Sequence, residues 1–215
     1  MNPHDTMEEI VSSARKLGVE SIAAGFTRSH DRMVRFSNNS ITVTNSWETE
    51  SPTVYLMSGG KRAACKIEEQ NPNELKRVIE ELVKTMKVTP AGDTDFELPQ
   101  GPFKYQAIPG LYDKKLAEAE TELVDAVETS INASKKEGAS RVSGVVISHA
   151  WERYVLTSER AEGSDRGTEI EMTVRAFVTE DASGQGISLG TSLDQFDPEE
   201  AGRTAGRIAK MAQNP

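Results

Sequence analysis

The chain has 215 residues, with 25 lysines and arginines against 34 aspartates and glutamates, for a formal charge of −9. A chain of this length buries about 70% of its unfolded surface and so builds a core without disulfides; its single cysteine, Cys65, excludes an internal disulfide and a cysteine-based metal cage. No apolar run approaches the ~20 residues of a membrane span, the first residues carry no secretory pattern, and the acidic balance argues against a general nucleic-acid binder. The expectation is a soluble, cytoplasmic protein with neither membrane nor nucleic acid as a partner.

In chain order, Met7, Ile10, Val11, Ala14 and Leu17 recur at helical spacing, predicting a helix over 5–17 with Gly18 at its C-terminal cap. The period then changes to that of strands, expected near 21–28, 31–37, 40–49, 52–58 and 61–67. Ile41, Val43 and Trp47 fall on alternate positions there, and Asn38-Asn39 and Gly59-Gly60 supply the positive-φ residues of two-residue hairpins. Asn71, Pro72 and Glu74 form a capping signal, and Leu75, Val78, Ile79, Leu82, Val83 and Met86 make one stripe, predicting a helix over 72–87. Four prolines between 88 and 110 mark an irregular connection and a boundary at 108/109.

The pattern recurs beyond it. A second long helix is expected from Asp113 to Lys136, with Leu116, Ala119, Leu123, Val127 and Ile131 inward and Gly138 closing it. Strands follow near 140–149, 151–159, 168–179 and 184–190, and a last helix starts at Asp197-Pro198 and runs to about Met211. The fold class is therefore α+β: two helix-plus-antiparallel-sheet units, 1–108 and 109–215, closed by a C-terminal helix. Ser29-His30 and Ser148-His149 stand at matching steps of the two units, a weak signal of duplication.

Residues that could carry chemistry are few. His4, His30 and His149 form no H-E-x-x-H pair, and His149 and Glu152 point to opposite faces of a strand. Cys65 lies among Ala63, Ala64 and Ile67 and reads as a small core residue. In Gly184-Gln185-Gly186-Ile187-Ser188-Leu189-Gly190 the third glycine of a dinucleotide loop is replaced by Leu189 and no helix starts there, so a turn and strand explain it. Glu118, Glu120 and Glu122, and the Glu199-Glu200 pair, read as solvated helix faces. Trp47 and Trp151 read as core, with partner contact as the sharper alternative. No catalytic, cofactor-binding or metal-binding residue is assigned.

The order of features is more specific than any single residue. The run Arg32-Met33-Val34-Arg35-Phe36-Ser37-Asn38-Asn39-Ser40-Ile41-Thr42-Val43, then Val54-Tyr55-Leu56 and Gly59-Gly60, resembles the opening of the TldD/PmbA (TldE) metallopeptidase family. Thr157-Ser158-Glu159-Arg160-Ala161-Glu162-Gly163-Ser164-Asp165-Arg166-Gly167-Thr168 resembles that family's S-x-G-x-x-x-x-x-x-T hairpin, and Pro198–Met211 the helix before its C-terminal domain. The resemblance implies cytoplasmic proteolysis of unfolded peptide by a homo- or heterodimer of TldD/PmbA-type subunits. In the family a TldD-type chain holds zinc through H-E-x-x-x-H and a later cysteine, and a PmbA-type partner lacks those ligands. This sequence contains no H-E-x-x-x-H and ends at Asn214-Pro215, where that C-terminal domain would begin. It is therefore expected to be an N-terminal region, inert alone and slightly closer to the PmbA type, with zinc belonging to the absent domain or the partner subunit. Thr168–Val178 is the strand considered for peptide addition, although packing against neighbours is favoured. The alternative function is a stand-alone peptide-binding or oligomerisation module.

Overall fold

Capping asparagines and an aspartate start three of the long helices in the computed structural model, which describes residues 2–68, 71–92 and 97–213. In α1 (Pro3–Lys16) the Asn2 side chain accepts from the Asp5 N–H, and Met7, Ile10 and Ala14 are buried. In α2 (Pro72–Val88) Asn71 accepts from the Glu74 N–H, and Leu75, Ile79, Val83 and Met86 are buried, as their spacing predicts. In α5 (Pro198–Met211) Asp197 accepts from the Glu200 N–H. Part of the proline-rich connection, residues 93–96, and Asn214-Pro215 lie outside the described residues.

The helix expected over 113–136 is two. Asp113 caps the short α3 (Lys114–Glu118), Ala119 turns extended at ψ 129°, and α4 runs Thr121–Lys136. Arg32 Nη1 donates to the Ala117 carbonyl at 2.9 Å, satisfying an acceptor that the break leaves without a helical partner. Helical spacing runs unbroken through this point, so only the contact with β1 reveals the interruption.

The strands differ from expectation in the opposite direction, because segments read as separate are continuous. β1 spans Ser21–Ser37, β2 Ser40–Ser58, β3 Lys61–Lys66, β4 Arg141–Thr157, β5 Glu162–Phe177 and β6 Ser183–Gly190. No turn exists at 29–30, 50–51 or 150. The six form one antiparallel sheet in the order β3-β2-β1-β4-β5-β6. The predicted hairpin residues do take positive φ: 52° at Asn38, 64° at Asn39, 55° at Gly59 and 72° at Gly60. Helix, three-stranded meander, helix occurs twice in the element order, as the duplicated plan requires.

The chain folds into two compact units, each assembled from three stretches. Unit one comprises 1–28, 49–107 and 152–165; unit two comprises 29–48, 108–151 and 166–215. The boundary expected at 108/109 lies beside one crossing, at 107/108, and the others fall inside β1, β2, β4 and β5. Unit one packs Ile22, Phe26, Val54 and Leu56 of its strands against Met7 and Ile10 of α1 and Leu75 and Ile79 of α2. Unit two packs Val34, Phe36, Val142, Val146, Ile170, Met172 and Val174 against Leu123 and Val127 of α4 and Ala201, Ala205 and Ala209 of α5.

Close backbone approach governs unit two. A Cβ on Gly186 of β6 would lie 1.9 Å from the Ala201 carbonyl of α5, and one on Gly202 of α5 would lie 2.2 Å from the Ser130 carbonyl of α4. Ser134 Oγ bridges the two helices, donating toward the Ser130 carbonyl at 2.9 Å and the Gly202 carbonyl at 2.8 Å. The glycine spacing 184–190 thus serves a strand pressed against a helix.

Candidate functional site

A cluster of polar groups in unit two lies where β1 meets β4. Asp31 is buried, 7% exposed. Its carboxylate receives Ser29 Oγ at 2.9 Å and meets His149 Nδ1 at 2.6 Å. A carboxylate is acceptor-only when ionised, so Nδ1 carries the proton of this contact and Nε2 is left as the ring's other site. His149 keeps 36% of its side chain exposed. The pair can therefore hold a proton at Nδ1 and accept one at Nε2, but among the described residues no hydroxyl or thiol bonds Nε2, and the dyad lacks a nucleophile.

One residue along each strand is a second polar pair. Ser37 meets Ser143 and Asp31 meets His149 in the same register, which puts Arg32 opposite Ser148. Arg32 Nε and Ser148 Oγ are both buried without a protein partner, although the Arg32 guanidinium also reaches Ala117 and, at 3.8 Å, Glu120. A cavity of about 350 Å³ is lined by Arg32, Thr44, Ser46, Glu120, Leu123 and Val124.

The three histidines do not converge. His30 Nε2 meets Ser46 Oγ at 2.8 Å. His4, in the first turn of α1, lies 3.4 Å from Glu162 and 3.9 Å from Glu8. With Asp5 and Glu8 it forms the one group of three ligand-type side chains among the described residues, all exposed. Glu152 accepts from the Tyr154 hydroxyl at 3.0 Å, far from the role weighed for it beside His149. Burial, then this bond, pushes the Tyr154 phenol up.

The remaining sequence candidates fall into place individually. Glu122 accepts the Glu120 N–H at 3.0 Å at the start of α4, and its own N–H and that of Glu120 hold its carboxyl below the usual range. Glu199 and Glu200 pair with Arg203 on an exposed face of α5. Trp151 packs over Gly167, where a Cβ would lie 2.3 Å from the indole, whereas Trp47 is 40% exposed, which corrects its reading as core. β2 carries it along residues 40–48, every one of them exposed, so the alternation there does not bury a face. Thr168–Phe177 is an inner stretch of β5 between β4 and β6 and cannot add a peptide strand; β3 and β6 are the outer strands.

Cys65 is half-buried on β3 opposite Val54 and packs against the core of unit one rather than lying within it. Burial pushes its thiol up. A thiol held protonated reacts slowly, so labelling of the folded chain with iodoacetamide at neutral pH is expected to run at least about tenfold slower than that of the urea-unfolded chain, and to accelerate as pH rises past the thiol's ordinary value. Equal rates in the two states would contradict this environment.

Residues 111–213 match the family described as the PmbA/TldA metallopeptidase central domain. Over these 103 residues the chain is similar to that family. Three solved structures share the fold across nearly the whole chain. TldE from Thermococcus kodakarensis matches with TM-score 0.78 at 18% identity, over 97% of this chain and 47% of its own. A proposed modulator of a DNA gyrase from Thermotoga maritima matches with TM-score 0.78 at 14% identity, over 96% of this chain and 47% of its own. Another from Bacteroides thetaiotaomicron matches with TM-score 0.80 at 14% identity, over 94% of this chain and 48% of its own. The chain thus spans about half the length of the structures it matches. No curated protein sequence matches it.

A metallopeptidase zinc asks for about three protein ligands converging in a shaped, partly closed site. His4, Asp5 and Glu8 instead sit exposed on one helical turn, while Nδ1 of His149 and Nε2 of His30 are already engaged. The described residues do not fit a catalytic zinc. No described helix is long and apolar enough to cross a membrane.

Proposed function

We propose that this chain is the scaffold portion of a PmbA/TldD-type peptidase subunit. In that role it frames the space in which unfolded peptide is held, and the zinc chemistry is supplied by another domain or by a partner subunit in the cytoplasm. The match of residues 111–213 to the metallopeptidase central domain carries this reading. The fold shared with TldE, whose chain is about twice as long, supports it, as does a donor set unsuited to zinc. The PmbA-like, ligand-free type remains the slightly favoured parent.

Reconstitution tests it. The chain alone is expected to hydrolyse neither casein nor unfolded peptide and to retain no stoichiometric zinc after dialysis. Mixed with a zinc-bearing TldD-type subunit, it is expected to co-elute as a complex and to change the rate of casein cleavage. Chelator-sensitive cleavage by the isolated chain, or no association with any such subunit, would overturn the proposal.

A further inference from the structure

We infer that Arg141, Arg175 and Phe177, on the helix-free face of the sheet in unit two, form a binding site for a small ligand that presents two linked phosphoryl groups. Nothing in this site depends on the scaffold role proposed above. Alternation sets the face. Val142 of β4 and Val174 and Ala176 of β5 are buried against the helices, so Arg141, Arg175 and Phe177 point the other way. Both arginines are exposed and Phe177 is half-buried. The guanidinium carbon of Arg141 stands 4.1 Å from the centroid of the Phe177 ring, and that of Arg175 stands 5.6 Å from the same centroid. Arg175 Nη2 also donates to Ser183 Oγ at 3.1 Å, on β6 directly opposite Phe177. Two neighbouring strands thus bring two positive charges to one ring.

Neither charge has a carboxylate. Among the described residues no acidic side chain forms an ion pair with Arg141 or Arg175, whereas Arg28, Arg32, Arg77 and Arg203 each have one. In a chain of formal charge −9, acidic partners are not scarce. Attraction to the ring face accounts for one arginine over Phe177. It does not account for the second, which the first repels. An anion shared by the two guanidinium groups replaces that repulsion with a common attraction. The ring and the Ser183 bond also restrict both side chains before any ligand arrives, so less conformational freedom is lost on binding.

Guanidinium chemistry selects the ligand. Each group is a planar fork of N–H donors that matches a phosphoryl group through two parallel hydrogen bonds. Two forks call for two phosphoryl groups, which a pyrophosphate group supplies and orthophosphate does not. The borders of the patch limit the ligand's size. Glu169 and Glu171 share this face of β5, and Glu180 and Asp181 lie in the turn between β5 and β6. A nucleic-acid strand laid across the arginines would run into these negative charges, and a small ligand would not.

Sodium pyrophosphate is the probe, titrated at low ionic strength and without divalent metal into the isotope-labelled full chain. It is expected to bind saturably with a Kd below about 1 mM, shifting the side-chain Nε–H signals of Arg141 and Arg175 and the amides of residues 141–143 and 175–183. Orthophosphate and AMP, which fill one fork, are expected to bind at least about fivefold more weakly. ADP at the affinity of pyrophosphate places recognition in the phosphoryl groups alone, and tighter ADP makes a nucleoside diphosphate the source; both keep the site. Arg141→Gln and Arg175→Gln are each expected to weaken pyrophosphate about fivefold or more with the Tm within about 2 °C, because both side chains are exposed. Arg175→Lys keeps the charge without the fork and should weaken it about threefold. Arg207→Gln, on an exposed position of α5, should leave binding unchanged. No saturation below about 10 mM, shifts confined elsewhere, an equal loss in the Arg207 variant, or orthophosphate as tight as pyrophosphate would overturn the inference. A single-stranded oligonucleotide that binds more tightly than pyrophosphate would overturn it too, since the face would then read a nucleic-acid backbone.

Discussion

Gly186→Val is expected to destabilise the protein by about 3 kcal/mol or more, a fall in Tm of about 10 °C for a chain of this size. The new Cβ would sit 1.9 Å from the Ala201 carbonyl and 3.1 Å from the Ala205 nitrogen. Both are backbone atoms of α5, so relief requires the helix to move away from β6. Such a movement uncovers Ala201, Ala205 and Ala209, each at most 1% exposed. Gly186→Ala should show most of the effect, because the clash begins at Cβ. Gln185→Ala, at the exposed neighbouring position, should change stability by less than about 0.5 kcal/mol. Urea denaturation followed by circular dichroism measures all three; an alanine variant as stable as the parent chain would show that α5 is not pressed against the strand.

Thr168→Val is the second large effect, expected at about 2–4 kcal/mol. Thr168 is 2% exposed. Its hydroxyl accepts from the Asp113 N–H at 2.9 Å and donates to the Thr191 carbonyl at 2.8 Å. Asp113 in turn caps Lys115 and accepts from the Leu193 N–H at 3.0 Å. One hydroxyl therefore ties the start of α3 to the segment after β6. Valine keeps the volume and removes both bonds, leaving a part-buried donor and a part-buried acceptor without this partner. Thr168→Ser keeps the hydroxyl and loses one methyl, so it should cost only about 1 kcal/mol. Native-state hydrogen exchange at Asp113 should rise sharply in the valine variant and little in the serine variant. If the two variants prove equally stable, the hydroxyl's bonds contribute nothing net.

Both positions bear on what a reader of the sequence sees. Gly184-Gln185-Gly186 was legible as a strand and not a phosphate loop, because no helix starts directly after it. The reason for its glycines was not legible, since Ala201 and Ala205 come from the following helix and carry no mark of proximity. Asp31 and His149 are 118 positions apart, and neither sits in a motif whose spacing joins them. Their contact needs the pairing of β1 with β4, the step that links the two halves of the sheet.

Local signals accounted for the caps at Asn71 and Asp197, the stripe from Leu75 to Met86, the hairpins at Asn38-Asn39 and Gly59-Gly60, and the repeated order of helix, strands, helix. Each of these depends on residues a few positions apart, whose conformational preferences act before any distant contact forms. The continuity of β1, β2 and β4, the division of α3 from α4, the exposure of Trp47 and the place of β5 inside the sheet came from contacts between distant segments. Alternation lapses where a long strand passes from one core to the next, and to the eye that lapse is indistinguishable from a turn. Burial is a property of what packs on a residue from elsewhere in the chain, so one stretch of sequence cannot reveal it.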